Sequence, residues 1–212
     1  MMKLNEINDA PIVAILRHLS PSTAVDVMNV LIDSGIKIIE VPLNSQDAIL
    51  SIEKMSNSIN NEAIVGAGTV ISESQVEAVH NAGGRIIVSP NYNPNVIQKT
   101  KLLNMVSMPG CGTSSEIFNA LEAGADAIKL FPAETLPPSW VKAMNVVLPQ
   151  NTQCFVVGGV SEKNMGQYMK AGAFGFGIGS SLYKPGMSLA EIKNNATRIM
   201  TAYRKAKSEM SQ

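Results

Sequence analysis

Short apolar runs rich in Val and Ile alternate along this chain with longer stretches in which apolar residues recur every three or four positions. The first pattern suits strands buried on both faces of a parallel sheet, and the second suits amphipathic helices laid over them. Strands are predicted over 11–17, 36–43, 63–70, 85–90, 105–110, 127–133, 154–160 and 173–180, with helices filling the gaps. Ser20-Pro21, Ser45, Ser72 with Gln75, Thr113 with Glu116 and Ser161 with Asn164 offer side-chain oxygens that can cap a first helical turn. Gly35, Gly83, Gly124 and Gly172, each following Ser or Ala just before a strand, mark helix ends.

About eight such units follow one another without a Pro/Ser-rich linker or a low-complexity block. They predict one domain over 1–212, an α/β fold of the (β/α)8 TIM-barrel type. An open doubly wound sheet is the alternative. It lacks its glycine fingerprint, because Ala-Ile-Leu-Arg-His-Leu-Ser-Pro follows the start of the first strand.

Composition narrows the function classes. Lys plus Arg and Asp plus Glu each total 17, so no net positive charge advertises a nucleic-acid or anionic-membrane partner, and a small-molecule substrate is expected. Cys111 and Cys154 have neither the number nor the spacing of a disulfide framework or a zinc site, and are expected as buried free thiols. The 12 methionines read as core filler. The N-terminal residues carry Asn, Glu and Asp where a signal peptide needs an apolar run, and no stretch approaches the ~20 apolar residues of a membrane span. A cytoplasmic location is the expectation.

A barrel of this kind builds its active site at the carboxyl ends of its strands. Reading those ends gives Arg17, Glu40, Thr69, Pro90, Gly110 and Lys129, followed by glycine pairs. Lys129 sits in Ala-Ile-Lys-Leu-Phe-Pro-Ala, and an inward lysine there would be surrounded by barrel core. Burial disfavours its ammonium form and frees the amine to attack a ketone, as Schiff-base lysines do. An outward lysine with its stem across a helix is the alternative. Glu40 would face the same barrel mouth, where a carboxyl can move the protons of carbinolamine formation and C–C cleavage. Its alternative is a structural ion pair with Lys129 or Arg17. Arg17 has the donor fork that grips a carboxylate, or it is a surface arginine at a strand end.

Val157-Gly158-Gly159-Val160 and Gly177-Ile178-Gly179-Ser180 end the last two predicted strands. Glycines there let backbone N–H groups approach an anion, at the place where barrels commonly bind phosphate. His18 and His80 are too separated for a triad or metal cluster, and His80 reads as a helix-face residue.

Eight segments in order resemble the pyruvate-yielding 2-keto-3-deoxy-6-phospho-sugar acid aldolases, the KHG/KDPG aldolase family, over nearly the whole chain. They are Ala-Ile-Leu-Arg (14–17), Ile-Glu-Val-Pro-Leu-Asn-Ser (39–45), Val-Gly-Ala-Gly-Thr-Val (65–70), Val-Ser-Pro-Asn (88–91), Pro-Gly-Cys (109–111), Ala-Ile-Lys-Leu-Phe-Pro-Ala (127–133), Val-Gly-Gly-Val (157–160) and Gly-Ile-Gly-Ser (177–180). The resemblance implies a metal-independent class I aldolase without cofactor, with Lys129 as the Schiff-base lysine and Glu40 as the general acid/base. It implies that Arg17 and Thr69, with Pro90 beside them, bind the keto-acid end, and that Gly158, Gly159, Gly179 and Ser180 bind the phosphate end. It also implies a homotrimer.

Asn44 and Val157 stand where the gluconate-type branch carries Arg and Thr, so they are the candidate specificity residues and point to the galactonate-type branch. A Thr hydroxyl could hydrogen-bond one C4 epimer and leave the other unsatisfied, a preference that Val removes. Ser181 stands where that branch would carry an acidic residue. Two other readings compete with the aldolase. A phosphate-binding isomerase or epimerase would need a base pair or metal cluster, and a non-catalytic phosphometabolite-binding barrel would have lost Lys129 or Glu40.

Overall fold

A computed structural model describes residues 10–60 and 62–210, so the polar N-terminal segment discussed above lies outside the described residues. Nine short strands form one all-parallel sheet: β1 (Ile12–Ile15), β2 (Ile38–Pro42), β3 (Ile64–Gly68), β4 (Ile86–Val88), β5 (Val106–Met108), β6 (Gly110–Cys111), β7 (Ile128–Leu130), β8 (Cys154–Val157) and β9 (Gly175–Ile178). The spatial order is β5-β4-β3-β2-β1-β9-β8-β7-β6, so the two ends of the sheet are consecutive in the chain.

That adjacency closes the ring. β5 and β6 are one extended stretch divided at Pro109, which has no N–H to give to a ladder. Its first half pairs with β4, and the Pro109 carbonyl accepts from the Lys129 N–H at 2.9 Å on the other side. The fold is therefore the eight-unit barrel, with its fifth strand interrupted by proline.

Among the described residues eight α-helices alternate with the strands: α1 (Ala24–Asp33), α2 (Ala48–Ser58), α3 (Glu73–Asn81), α4 (Pro94–Leu102), α5 (Ser114–Glu122), α6 (Pro138–Val147), α7 (Met165–Lys170) and α8 (Leu189–Met210). α8 packs on α7 and α1 and joins the two ends of the helical ring. Because side chains alternate across a strand, the sheet feeds two separate cores. Ile12, Ala14, Ile39, Val41, Ile128, Leu130, Val156 and Phe176 point outward and pack beneath the helices. Val13, Ile38, Ile64, Ile86, Val88, Met108, Ala127 and Phe155 fill the barrel interior.

Helix ends follow a repeated design. Gly35, Gly83, Gly124 and Gly172 all have positive φ, and the residue after each donates its N–H back across the last turn, as Ile36 does to the Leu31 carbonyl at 2.9 Å. Asn104, with φ 55°, does the same job after α4, where the sequence reading named no stop. Both cysteines are free and buried on the outward face of the sheet.

Starts were less uniform than expected. Ser72 caps α3, and Thr113 with Glu116 forms a complete capping box on α5. Ser20 does not cap α1, which begins at Ala24 after Thr23; its hydroxyl instead accepts from the Ser22 N–H in the preceding turn. Ser45 does not cap α2 either. It is buried, and its Oγ accepts the His18 N–H at 2.8 Å, leaving Asp47 at the helix start in a left-handed conformation. Ser161 is displaced by Asn164, whose side chain turns back to the preceding loop.

Phe155 is fully buried inside the barrel and meets Phe174 edge to face with centroids 5.5 Å apart. Nothing nearby can collapse into its volume without moving a strand. Phe155→Ala should therefore cost about 3–5 kcal/mol. Urea denaturation would show this as a lowered midpoint with an unchanged slope; a shift near zero would mean that the interior is not close-packed.

Candidate active site

The strands end earlier than their apolar runs suggest, and the residues beyond their ends form the mouth of the barrel. Arg17 lies two residues past β1, Thr69 one past β3, Pro90 two past β4, and Gly158 one past β8. Thr69 is a β-branched residue held at φ 58°, a conformation that such residues rarely adopt and that usually accompanies a functional constraint. The eleven residues given catalytic, substrate-binding or specificity roles from the sequence line one cavity of about 700 Å³, a size that suits a small metabolite, whereas Gly110, also read at a strand end, does not line it.

Lys129 and Glu40 form its charged centre, and strand parity puts them there. Outward Ile128 and Leu130 flank Lys129, and outward Ile39 and Val41 flank Glu40, so both ionisable side chains must enter the barrel. Lys129 is 7% exposed and Glu40 2% exposed. An outward, solvated lysine is thereby ruled out. Room for the Glu40 carboxyl comes from the neighbouring strand, where any side chain on Gly68 would overlap it.

Desolvation dominates both groups. Burial pushes the Glu40 carboxyl up from 4.5 to about 7, with Lys129, Arg17 and the Gly68 N–H pulling the other way. Burial also lowers the Lys129 ammonium, a shift opposed by Glu40 and assisted by Arg17. Among the described residues no ion pair joins Glu40 to Lys129 or Arg17. Glu40 Oε2 is buried without a hydrogen-bond partner, and Lys129 Nζ instead lies 4.5 Å from the centre of the Phe131 ring. An unpaired acceptor at the bottom of an open cavity is a costly arrangement, and it suits a group that meets its partner only when substrate arrives.

Arg17 is exposed at the rim, and its Nη1 donates to Asn44 Oδ1 at 3.0 Å. That bond joins the ends of β1 and β2 and restricts the guanidinium. Two strands round the ring, past β8, Gly158 and Gly159 both have positive φ, at 99° and 67°. Asn164 staples this loop, accepting from the Ser161 N–H and donating to the Gly159 carbonyl, each at 2.9 Å. Gly179 and Ser180 lie beside it, past the end of β9, and Val157 is buried at the wall between the two halves.

The cavity also includes residues that the sequence reading did not single out. Phe131 could have been found from its two-residue spacing to Lys129. His18, Tyr183 and Lys184 belong to loops, where no periodicity reports which side chains turn inward. Among the described residues no group of three or more His, Cys, Asp or Glu comes together as a metal site.

Residues 4–201 match the family described as KDPG and KHG aldolase. This chain belongs to that family. It is 44% identical over 195 residues to the probable 2-dehydro-3-deoxy-6-phosphogalactonate aldolase of Rhizobium meliloti (strain 1021), covering 92% of each chain. It is 40% identical over 196 residues to the 2-dehydro-3-deoxy-6-phosphogalactonate aldolase of Escherichia coli (strain K12), covering 92% of this chain and 96% of that one. A solved structure described as native KDPGal superposes with a TM-score of 0.92 at 39% identity, over 95% of this chain and 98% of the other. The aldolase family and the barrel inferred from the motifs are thus shown.

The raised Glu40 pKa makes a thermodynamic statement. The unfolded carboxyl titrates near 4.5 and the folded one near 7, so between these values the folded state holds the extra proton. Stability from this group is complete below 4.5 and falls as pH rises through about 7. Glu40→Gln removes the titration at constant volume. The stability of this variant relative to wild type should rise by about 3 kcal/mol between pH 4.5 and 7.5. Denaturation at the two pH values measures it, and a difference independent of pH would show that the carboxyl is solvated.

Proposed function

We propose that this chain is a class I aldolase that cleaves 2-dehydro-3-deoxy-6-phosphogalactonate to pyruvate and D-glyceraldehyde 3-phosphate. The observation that carries the chemistry is the buried Lys129 amine in one cavity with a buried Glu40 carboxyl whose Oε2 has no hydrogen-bond partner. The names of the two relatives support the substrate, as do Asn44 and Val157 at the cavity wall.

In this reading Arg17 grips the substrate carboxylate and Thr69, with Pro90, shapes the pocket around the keto group. The free Lys129 amine attacks the C2 carbonyl carbon, and Glu40 gives the resulting carbinolamine oxygen the proton with which it leaves as water. The protonated Schiff base that remains is an electron sink. Glu40, now a carboxylate, takes the C4 hydroxyl proton. The C3–C4 bond then breaks, and its electron pair moves to the Schiff base as an enamine while C4 leaves as the aldehyde of glyceraldehyde 3-phosphate. The acid form of Glu40 returns its proton to C3, and water hydrolyses the pyruvate imine. Gly158, Gly159, Gly179 and Ser180 anchor the phosphate and so fix where C4 lies relative to Glu40.

Specificity follows from what Val157 lacks. A methyl surface withholds from the gluconate epimer the hydrogen bond that a Thr hydroxyl would give it, so the gluconate-type preference is lost, and the galactonate direction rests on the names of the two relatives. A doubly charged phosphate ester does not cross a bilayer unaided, and no helix among the described residues is long and apolar enough to span one. We place the enzyme in the cytoplasm, as one catalytic domain over 1–212 working without cofactor or metal.

Three measurements test this reading. Pyruvate release should be faster from the galactonate-derived 6-phosphate than from the gluconate-derived one, and Lys129→Ala should lose at least ~10³-fold in kcat. Borohydride with pyruvate should add mass at Lys129 of the wild type. Equal rates on the two epimers would keep the aldolase and remove the branch; an adduct at another lysine would remove the mechanism. The enzyme is further proposed to be a homotrimer, which would cover exposed apolar residues such as Leu102 and Val146. Sedimentation equilibrium should return three chain masses, and a monomer would overturn this.

A further inference from the structure

The proposed substrate carries charge at both ends, and the cavity's side-chain cations are few enough to assign. Among the described residues lining it they are Arg17, Lys129 and Lys184, with His18 at the rim. Lys129 must surrender its charge to react, and Arg17 is tied by Asn44 to the β1–β2 side. The glycine loops after β8 and β9 offer N–H groups but no formal charge, so a phosphate dianion there has hydrogen bonds and, with Arg17 held by Asn44, lacks a counter-charge.

We infer that Lys184 supplies it: the Lys184 ammonium is the cation of the phosphate subsite, a specificity-determining residue for phosphorylated over unphosphorylated substrates. Connectivity places it there. The chain leaves β9 at Ile178, and the N–H groups of Leu182 and Tyr183 both bond back to the Gly179 carbonyl, at 2.9 and 3.0 Å. That turn folds the chain over Gly179 and Ser180 and brings Lys184 onto the same cavity as the Gly158–Gly159 loop. A second turn, closed by the Met187 N–H on the Lys184 carbonyl at 3.2 Å, holds the backbone where the side chain departs.

No ion pair engages Lys184 among the described residues, whereas Lys99, Lys101 and Arg198 each have a carboxylate partner. Its ammonium is exposed and free to meet an incoming anion, and the long stem allows it to fold down once the phosphate is seated. The Glu134 carboxylate lies against the outer side of Gly158 and Gly159, which raises the need for a nearby positive charge.

This assignment rests on the aldolase reading for its substrate but can be tested without turnover. Calorimetry with inorganic phosphate should give a Kd about tenfold weaker for Lys184→Gln than for wild type, with Lys184→Arg close to wild type, since a charge-assisted contact is removed and then restored. Salt should weaken phosphate binding less steeply in Lys184→Gln. In kinetics, kcat/KM for the 6-phosphate should fall about tenfold relative to an unphosphorylated 2-keto-4-hydroxy acid, through KM. Unchanged phosphate affinity in Lys184→Gln, or equal loss on both substrates, would overturn the assignment. Borohydride trapping of pyruvate on the same preparations separates the two readings. If trapping fails while phosphate binding still depends on Lys184, the aldolase reading falls and the phosphate subsite stands.

Discussion

Withdrawal of water from Lys129 and Glu40 is the interaction on which the rest of this structure depends. Each group alone would be disfavoured in its ionised form by the carbon around it, and a tight ion pair would restore both charges. The barrel withholds that pair. Lys129 rests on the face of Phe131 and Glu40 fits against the glycine face of β3, so each remains near the protonation state that burial prefers. The larger free-amine fraction and the carboxyl poised near neutrality both come from the same low-dielectric floor.

That floor requires a rigid wall, and the parallel ladder supplies it. Alternation sends one set of side chains beneath the helices and the other into the interior, so Phe155, Val88 and Met108 pack the barrel interior that holds the charged pair. Glycine takes the complementary positions. Gly66 faces the Ile86 backbone and Gly177 faces Val157, and a larger residue at either place would push a neighbouring strand outward. The fixed floor contrasts with a rim made of loops, where Arg17 is exposed but held by Asn44 and Lys184 is exposed and can adjust to a ligand.

Much of this was legible from residues alone, for reasons that are local. The alternation of apolar runs, the glycine at four helix ends and the inward phase of Lys129 are each readable within about ten positions. The failures were of another kind. Ser45 has the composition of a helix cap, yet it is taken by the His18 N–H, 27 residues away. The Arg17–Asn44 bond spans the same separation, so neither partner signals the other in sequence. Strand ends were drawn too long because apolar and glycine residues such as Val160 and Gly179 continue the run after the chain has left the ladder. Those are the positions where backbone is diverted from hydrogen bonding within the sheet to lining a cavity.

The break at Pro109 shows how closure and chemistry meet. A continuous fifth strand would offer an N–H at every position to its neighbours, and proline withdraws one at the point where the ring joins. The Pro109 carbonyl still accepts from the Lys129 N–H, so the backbone of the buried lysine is anchored to the residue that interrupts the sheet. One residue later Gly110 pairs with Lys129 in register, and a side chain at Gly110 would run into the Pro90 backbone. Pro90, Gly110 and Lys129 therefore form a contiguous arc in which two residues without reactive side chains hold the third. The requirement on that arc is geometric: in the proposed mechanism it keeps the lysine backbone fixed while the amine passes through carbinolamine, imine and enamine states in turn.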